Sequence, residues 1–373
     1  GKVIKKALHT FEGSLDSAMK NGYDHFMLKE IYEQPKVMKD TVYEYIENPE
    51  KLEELLNGFE NYTEIDIIGC GSAYHAGLVG KSLIMKYGKV VVNTDIASEY
   101  RYSEHIYSKK HLIIVISQSG ETADTLAVLR KAKEDGVDTL AIVNVVGSSI
   151  AREADRVIYT KAGPEISVAT TKAYTCQVII LSLIAYYLGY RNHLLSLENL
   201  SDYKVIEKYL NYILNDISDT KEIAEMIYQK KDIFFLGRKI DYSLCREASL
   251  KLKEISYLHS EAYAAGELKH GTISLIEENT PVISIITDDS IRLKTLSNIK
   301  EVCARGAMSI IISNEKVEDL DFYHKLVVLP KVSDLIEPIL VIVKCQLIAY
   351  YVAKLNKCDI DKPRNLAKSV TVE

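Results

Sequence analysis

The feature that most constrains the fold is a strand, turn and helix signal at residues 111–126, which read HLIIVISQSGETADTL. Residues 112–117 form an apolar, β-branched run bounded by polar residues, which is typical of a strand covered on both faces of a parallel sheet. Apolar residues then recur at helical spacing through residues 125–132. A polar turn of six residues, SQSGET, therefore joins a buried strand directly to the start of a helix.

This turn has the chemistry of a phosphate site. The first N–H groups of a helix lack intrahelical partners and lie at the positive end of the macrodipole, and hydroxyl groups at 117, 119 and 122 add further donors. The alternative is structural, with Ser119 capping the helix and Ser117 ending the strand. The turn has no Lys or Arg and lacks P-loop spacing, so it favours a monophosphate on a small molecule over a nucleotide.

The same plan recurs along the chain, which predicts a tandem duplication. Strand patterns occur at residues 64–71, 89–95, 138–144 and 156–160 around the central one, and again at 231–237, 280–287, 307–313 and 325–329. Helical segments separate them, so the fold class is α/β, with two doubly wound parallel sheets that bind ligands at the carboxyl ends of their strands. At the second turn Asp288 and Asp289 follow Thr287, and their carboxylates would repel a phosphate.

Length and composition set limits on function. A chain of 373 residues with net charge −6 has room for two or three domains and has no basic track for nucleic acid. Its six cysteines lack metal-ligand spacing, and no apolar run reaches membrane-spanning length, so we expect a cytoplasmic protein with reduced thiols. Because the sequence begins with Gly, we expect a fragment or a processed product.

A second set of residues carries acid, base and amine groups. Lys251 and Glu254 are three residues apart on a predicted helix and face the same way, and His270 follows after an alanine and glycine stretch. Together they could move a proton next to a carbonyl. The structural alternative is a solvated ion pair with an incidental histidine. In the tail PRNLAKSVTVE, Lys368 is either a surface lysine or an amine delivered into a site.

Four motifs together resemble one known family. They are SQSGETADTL, EISVATTKAY at residues 165–174, KLKEISYLHSEAYAAGELKHG at 251–271, and the terminal PRNLAKSVTVE. The chain from about His25 onward resembles the isomerase region of the glutamine:fructose-6-phosphate amidotransferases, the glucosamine-6-phosphate synthases. SQSGET alone is shared by the wider sugar isomerase (SIS) domain superfamily.

The resemblance implies a division of the chain and a substrate site. It implies a linker and N-terminal helical segment at residues 1–50, SIS domain 1 at 51–195, SIS domain 2 at 196–357 and a closing tail at 358–373. Fructose 6-phosphate would be the substrate, and its contacts would be Ser72, Ser117, Gln118, Ser119, Thr122, Val168 and Thr170. The first turn reads Cys-Gly-Ser-Ala where the family has Cys-Gly-Thr-Ser, and because Ala73 cannot donate, one phosphate contact is missing or replaced by water.

The resemblance also implies the chemistry. His270, from the neighbouring subunit of a homodimer, would open the sugar ring, and Lys368 would form a Schiff base at C2. Glu254 would move a proton between C1 and C2, and Lys251 would assist at the oxygen. Neither a metal nor an organic cofactor is needed. The intact enzyme would add a glutaminase domain that supplies ammonia, and nothing in this sequence resembles that domain.

Two other functions stay open at this point. One is a free-standing SIS-type glucosamine-6-phosphate deaminase or deglycase, which needs no glutaminase domain. The other is a non-catalytic sensor of sugar phosphates. The presence of Glu254, His270 and Lys368 together argues against a sensor, which needs only the phosphate turn.

Overall fold

The computed structural model describes residues 19–318 and 322–372; most of the predicted linker lies outside them. The strands are β1 Glu64–Gly69, β2 Val91–Ile96, β3 His111–Ser117, β4 Asp138–Val143, β5 Arg156–Tyr159, β6 Asp232–Gly237, β7 His259–Ala264, β8 Pro281–Ile286, β9 Met308–Ser313 and β10 Lys325–Val328. The helices are α1 Phe26–Glu47, α2 Pro49–Leu56, α3 Ser72–Gly88, α4 Ala97–Tyr100, α5 Ala123–Glu134, α6 Ser149–Glu153, α7 Lys172–Arg191, α8 Ser201–Lys204, α9 Ile206–Asn215, α10 Ser218–Ile227, α11 Ile240–Ser256, α12 Arg292–Cys303 and α13 Glu337–Leu355.

The strands form two parallel five-stranded sheets with matching topology. The first has the order β2-β1-β3-β4-β5, and the second has the order β10-β9-β8-β6-β7. All strand pairs are parallel. The predicted α/β class and the tandem duplication are confirmed.

Strand β7 is the element that sequence reasoning missed. Its residues, HSEAYA, pair with β6 in parallel at the edge of the second sheet, where β2 lies in the first. Small and polar residues are tolerated there because only one side of an edge strand is paired. The segment lacks the apolar run that identified the central strands.

Helices α3, α7, α11 and α13 form the layer between the two sheets. Helix α3 packs against α7, α11 packs against α13, and α3 contacts α11 where the two halves meet. Gly80 lets α3 approach α7 closely, since a Cβ at this position would lie 2.8 Å from the Leu181 side chain. Helices α7 and α13 are long and apolar enough to cross a membrane, but most of each is buried in the core. They are therefore explained as core helices.

Helix α1 lies across this layer and contacts α7, α9 and α13. The sequence predicts a kink or a helix boundary at Pro35. The helix instead continues through this residue, which is buried, so the predicted boundary is wrong. A helix held by tertiary contacts on several sides can accept the loss of one backbone hydrogen bond. The six cysteines are all free.

Candidate functional site

The predicted phosphate turn lies between the carboxyl end of β3 and the first residue of α5. The Ser117 hydroxyl lies 2.9 Å from the Thr122 hydroxyl and accepts from the N–H of Gly120 at 3.0 Å. Ser119 accepts from the N–H of Glu121 at 3.2 Å. Thr122 is the N-cap, and its side chain makes no capping hydrogen bond. The hydroxyls are therefore held by the turn itself, and the interpretation of Ser119 as the helix cap is wrong.

Gly120 is required by both its backbone and its neighbour. Its φ is +66°, a conformation that L side chains rarely adopt, and a Cβ there would lie 2.0 Å from the Ser148 hydroxyl oxygen. The turn thus fits closely against the loop after β4. Gln118 contributes its backbone oxygen to this contact by accepting from the N–H of Asn144 at 3.1 Å.

The C-terminal tail lies on this turn. The Ser369 hydroxyl donates to the Ser119 hydroxyl at 3.1 Å, and the N–H of Ala123, the first residue of α5, donates to the carbonyl of Val370 at 3.3 Å. Lys368 directly precedes Ser369, so these contacts place it next to the turn. The tail therefore contacts the predicted phosphate turn. Its role in closing an active site stays a prediction.

Lys368 is held by the segment that precedes α7. Its amine lies 2.5 Å from a carboxylate oxygen of Glu165 and donates to the carbonyl of Ser167 at 2.9 Å. Glu165 is buried and also accepts from the N–H groups of Thr171 and Ala173 at the start of α7. Burial raises the pKa of Glu165, but the Lys368 charge and these donors outweigh it and hold that pKa below its usual value.

Helix α11 carries a buried ion-pair network that reaches the first turn of α3. Glu247 accepts from the Ser72 hydroxyl at 2.8 Å and from Nδ1 of His75 at 2.8 Å, and both partners lie on α3. The amine of Lys251 is 3.5 Å from Glu247 and 2.5 Å from Glu254. Ser72 thus connects to Glu254 through two buried side chains.

Charge balance explains how this network stays ionised. Burial raises the pKa of Glu247, but Lys251, His75 and Ser72 together hold it below its usual value. Burial lowers the pKa of Lys251, while Glu254 and Glu247 raise it, and the net shift is upward. A buried ion of either sign is stable only with such partners. The solvated ion pair offered as the structural alternative is therefore wrong for Lys251, whose side chain is fully buried.

The remaining predicted site residues differ in their surroundings. Val168 and Thr170 are half-buried in the segment that holds Lys368, and the N–H of Val168 donates to the carbonyl of Asp361 at 3.0 Å. His270 is exposed on the short 3-10 turn Leu268–His270. Sequence reasoning missed Glu247, although it lies four residues before Lys251 at ion-pair spacing.

In the second sheet the turn after β8 corresponds to the phosphate turn, and it is occupied by a carboxylate of the chain itself, that of Asp241. Asp241 comes from the turn between β6 and α11, which matches the turn between β1 and α3. Lys239 in the former has φ 50° and ψ −122°, close to the 55° and −126° of Gly71 in the latter, so Asp241 corresponds to Ala73. Asp241 accepts from the N–H of Thr287 at 2.9 Å and from its hydroxyl at 2.5 Å. The second turn thus contains an internal anion in addition to the carboxylates predicted from the sequence.

Among the described residues, one group has metal-ligand chemistry: Glu64, Asp66 and His111 at the amino end of the first sheet. His111 lies 3.2 Å from Asp66, and the Tyr100 hydroxyl donates to the same carboxylate at 2.7 Å. A buried histidine packed against two carboxylates accounts for these contacts. The group lies at the opposite end of the strands from the phosphate turn.

Comparison with known proteins identifies the class to which this fold and site belong. The SIS domain profile matches residues 59–187 and 226–353. The chain belongs to the SIS domain family. The predicted membership of this superfamily is therefore confirmed.

Two comparisons narrow this class. The chain is 50% identical over 383 aligned residues to the Clostridium tetani protein named glutamine--fructose-6-phosphate aminotransferase [isomerizing]; the match covers 100% of this chain and 63% of that relative. A solved C-terminal domain of glucosamine-fructose-6-phosphate aminotransferase from Francisella tularensis has a TM-score of 0.85 and 38% identity, covering 92% of this chain and 99% of that one. The resemblance drawn from the four motifs is confirmed.

The fold is shared more widely than the sequence. A solved glucosamine-6-phosphate deaminase from Thermotoga maritima has a TM-score of 0.73 with 21% identity, covering 92% of this chain and 99% of that one. At this identity the likeness establishes the fold alone. It gives no support to the deaminase alternative over the aminotransferase.

Proposed function

We propose that the chain is the isomerase part of a glucosamine-6-phosphate synthase that acts on fructose 6-phosphate. The observation that supports this most strongly is the placing of Lys368 beside the phosphate turn, through the contact between Ser369 and Ser119 at 3.1 Å. A primary amine next to a phosphate site can form an imine with a phosphorylated ketose. The identity to named aminotransferases supports the same substrate.

The proposed reaction begins with binding and ring opening. Ser72, Ser117, Gln118, Ser119 and Thr122 bind the phosphate, while Val168 and Thr170 line the sugar. His270 of a partner subunit opens the ring by proton transfer. The exposure of His270 agrees with a role across the interface of a homodimer.

The Lys368 amine then attacks C2, the C–N bond forms, and the C2 oxygen leaves as water. In the intact enzyme ammonia from a glutaminase domain displaces Lys368 and keeps the nitrogen at C2. The Glu254 carboxylate takes a proton from C1 and returns it to C2, with Lys251 next to the oxygen. Without ammonia, hydrolysis restores the C2 ketone, and the same proton transfer gives glucose 6-phosphate. These steps need no metal or organic cofactor. We also propose that the protein is cytoplasmic.

The experiment is to incubate the purified chain with fructose 6-phosphate without ammonia and to measure glucose 6-phosphate by a coupled dehydrogenase. We expect conversion by the parent and its loss in Glu254→Gln, whereas Lys368→Ala should lose the formation of glucosamine 6-phosphate from added ammonium. Lys362→Ala is the matched control, since Lys362 is an exposed lysine of the same tail. Substrate binding without any turnover in the parent would overturn the proposal in favour of a sensor.

The deaminase alternative is separated by a second assay. Glucosamine 6-phosphate is supplied, and ammonia release is measured alongside glucosamine 6-phosphate formation from fructose 6-phosphate and ammonium. We expect formation and isomerisation to exceed release. Rapid ammonia release with no isomerisation of fructose 6-phosphate would identify a deaminase.

A further inference from the structure

Glu30, on α1, is a buried glutamate whose two oxygens have different surroundings. The residue is 2% exposed. One oxygen accepts from the backbone N–H of Ile166 and from that of Ser167, the latter at 3.2 Å. The other, Oε2, is buried without a hydrogen-bond partner in the described part of the chain. A carboxylate in this position would be costly, whereas a neutral carboxylic acid has no buried charge to compensate.

The segment that Glu30 binds is the segment that holds Lys368. The amine of Lys368 donates to the carbonyl of Ser167 and pairs with the carboxylate of Glu165. Glu30 therefore fixes the N–H groups of residues 166–167, while Lys368 is bound by a carboxylate and a carbonyl of residues 165–167. Any displacement of this segment moves the amine.

The charges that face Glu30 come from three elements. They are Glu165 before α7, Lys172 on α7 and Lys368 in the tail. Lys172 already pairs with Glu33 at 2.7 Å. Burial first and Glu165 second raise the pKa of Glu30 to about 8, against the opposing effects of the Ile166 N–H, Lys368 and Lys172. At neutral pH Glu30 is therefore mostly protonated, and Lys368 faces the single negative charge of Glu165.

We propose that Glu30 is a positioning residue for Lys368: as a neutral acid it holds the segment 165–167 that binds the amine, and it adds no second negative charge to that group. This inference rests on the proposed function, because it is the imine-forming role of Lys368 that gives its protonation importance. An amine attacks a carbonyl only in its free form. A second negative charge in the group that holds it would make the free amine less available.

The proposal predicts how the reactivity of Lys368 changes with pH. As pH rises through the titration of Glu30, a second negative charge appears in the group of residues that holds the amine. Glu30→Gln keeps an oxygen for the N–H groups of 166 and 167 but cannot ionise. The variant should therefore match the parent near pH 7 and have the more reactive amine at pH 9.

The test measures modification of Lys368 by trinitrobenzenesulfonate at pH 7 to 9.5, using peptide mass spectrometry and no sugar. We expect Lys368 of Glu30→Gln to react about three- to tenfold faster than the parent at pH 9, where tenfold corresponds to about 1.4 kcal/mol. Glu44→Gln is the matched control on the same helix, since Glu44 is 40% exposed and pairs with Lys51. Equal rates in the parent and Glu30→Gln, or an equal change in Glu44→Gln, would overturn the proposal.

An infrared measurement tests the protonated state of Glu30 directly. The parent at pH 7 should show the carbonyl band of a buried carboxylic acid that Glu30→Gln lacks and Glu44→Gln keeps. Absence of this difference would overturn the proposal even if the variant changed reactivity. Neither readout requires turnover. If the isomerase assay fails while both readouts behave as expected, the proposed function is wrong and the role of Glu30 stands. If the isomerase assay succeeds while the readouts fail, the role of Glu30 is wrong and the proposed function stands.

Discussion

The carboxylate of Glu247 accepts a hydrogen bond from the Ser72 hydroxyl at 2.8 Å, and this bond joins the first turn of α3 to the middle of α11. The two residues belong to different SIS domains. Glu247 is fully buried and lies next to Lys251 on the same helix. The phosphate-binding half and the proton-transfer half of the proposed site are thus linked by one buried side chain.

Glu247→Gln should lower both stability and turnover. The glutamine oxygen can still accept from Ser72, but Lys251 loses the charge of one of the two carboxylates paired with it. Removing one partner of a buried ion pair costs about 3 to 5 kcal/mol, and we expect the lower end because the amide is isosteric. We also expect kcat to fall at least about tenfold with little change in KM. An increase of about 1.4 kcal/mol in the activation free energy, caused by a displaced Lys251, is enough for this.

Urea denaturation and isomerase kinetics check this prediction. Glu225→Gln, an exposed glutamate on α10, is the control. A Glu247→Gln variant as stable and as active as the parent would contradict the bridging role.

Thr122→Val should weaken binding of the substrate more than it slows the chemistry. The hydroxyl lies 2.9 Å from that of Ser117, and its proposed phosphate contact is the same in the ground and transition states. Loss of one such hydrogen bond costs about 1 to 1.5 kcal/mol, so KM should rise about tenfold with kcat within about twofold. The measurement is steady-state kinetics, with Thr63→Val, an exposed threonine before β1, as the matched variant. A lower kcat at unchanged KM would remove Thr122 from the phosphate site.

Glu337 should make stability depend on pH. It lies at the start of α13, accepts from the Asn314 amide at 2.6 Å, and burial raises its pKa from 4.5 to about 7. The folded state therefore binds more protons than the unfolded state between these values, and the free energy of unfolding falls as pH rises through them. The full contribution, roughly 3 kcal/mol from the pKa difference, is present below pH 4.5.

Glu337→Gln should remove that dependence. The measurement is the free energy of unfolding in urea at intervals from pH 4 to pH 8, and the difference between parent and variant should decline across this range. Glu134→Gln, at an exposed position on α5, should leave the parent's slope unchanged. A difference that grows with pH would reverse the assigned direction.

The central strands and both turns could be predicted from the sequence because their signals are local. A buried parallel strand needs a continuous apolar run, and residues 112–117 supply one. The edge strand β7 could not be predicted in this way, since half-exposed pairing places little demand on side chains. Its residues are HSEAYA, which carry no such run.

The partners of the site residues required the fold. Lys251 and Glu254 are neighbours along one helix, and their spacing predicted the pair. Glu30 is 135 residues before Glu165 in the sequence, and nothing in the local pattern of α1 indicates that its carboxyl group reaches the segment that holds Lys368. The predicted roles of Ser72 and His270 stay predictions, because they concern the substrate and a partner subunit.

The central claim is that the Lys368 amine forms an imine with C2 of fructose 6-phosphate. The most direct measurement is reduction with sodium borohydride in the presence of this sugar, where hydride adds to the C=N bond and leaves a stable secondary amine. Peptide mass spectrometry should find the sugar phosphate on Lys368 of the parent and on no lysine of Lys368→Ala. Label on another lysine, or no label in a parent that converts the sugar, would contradict the account.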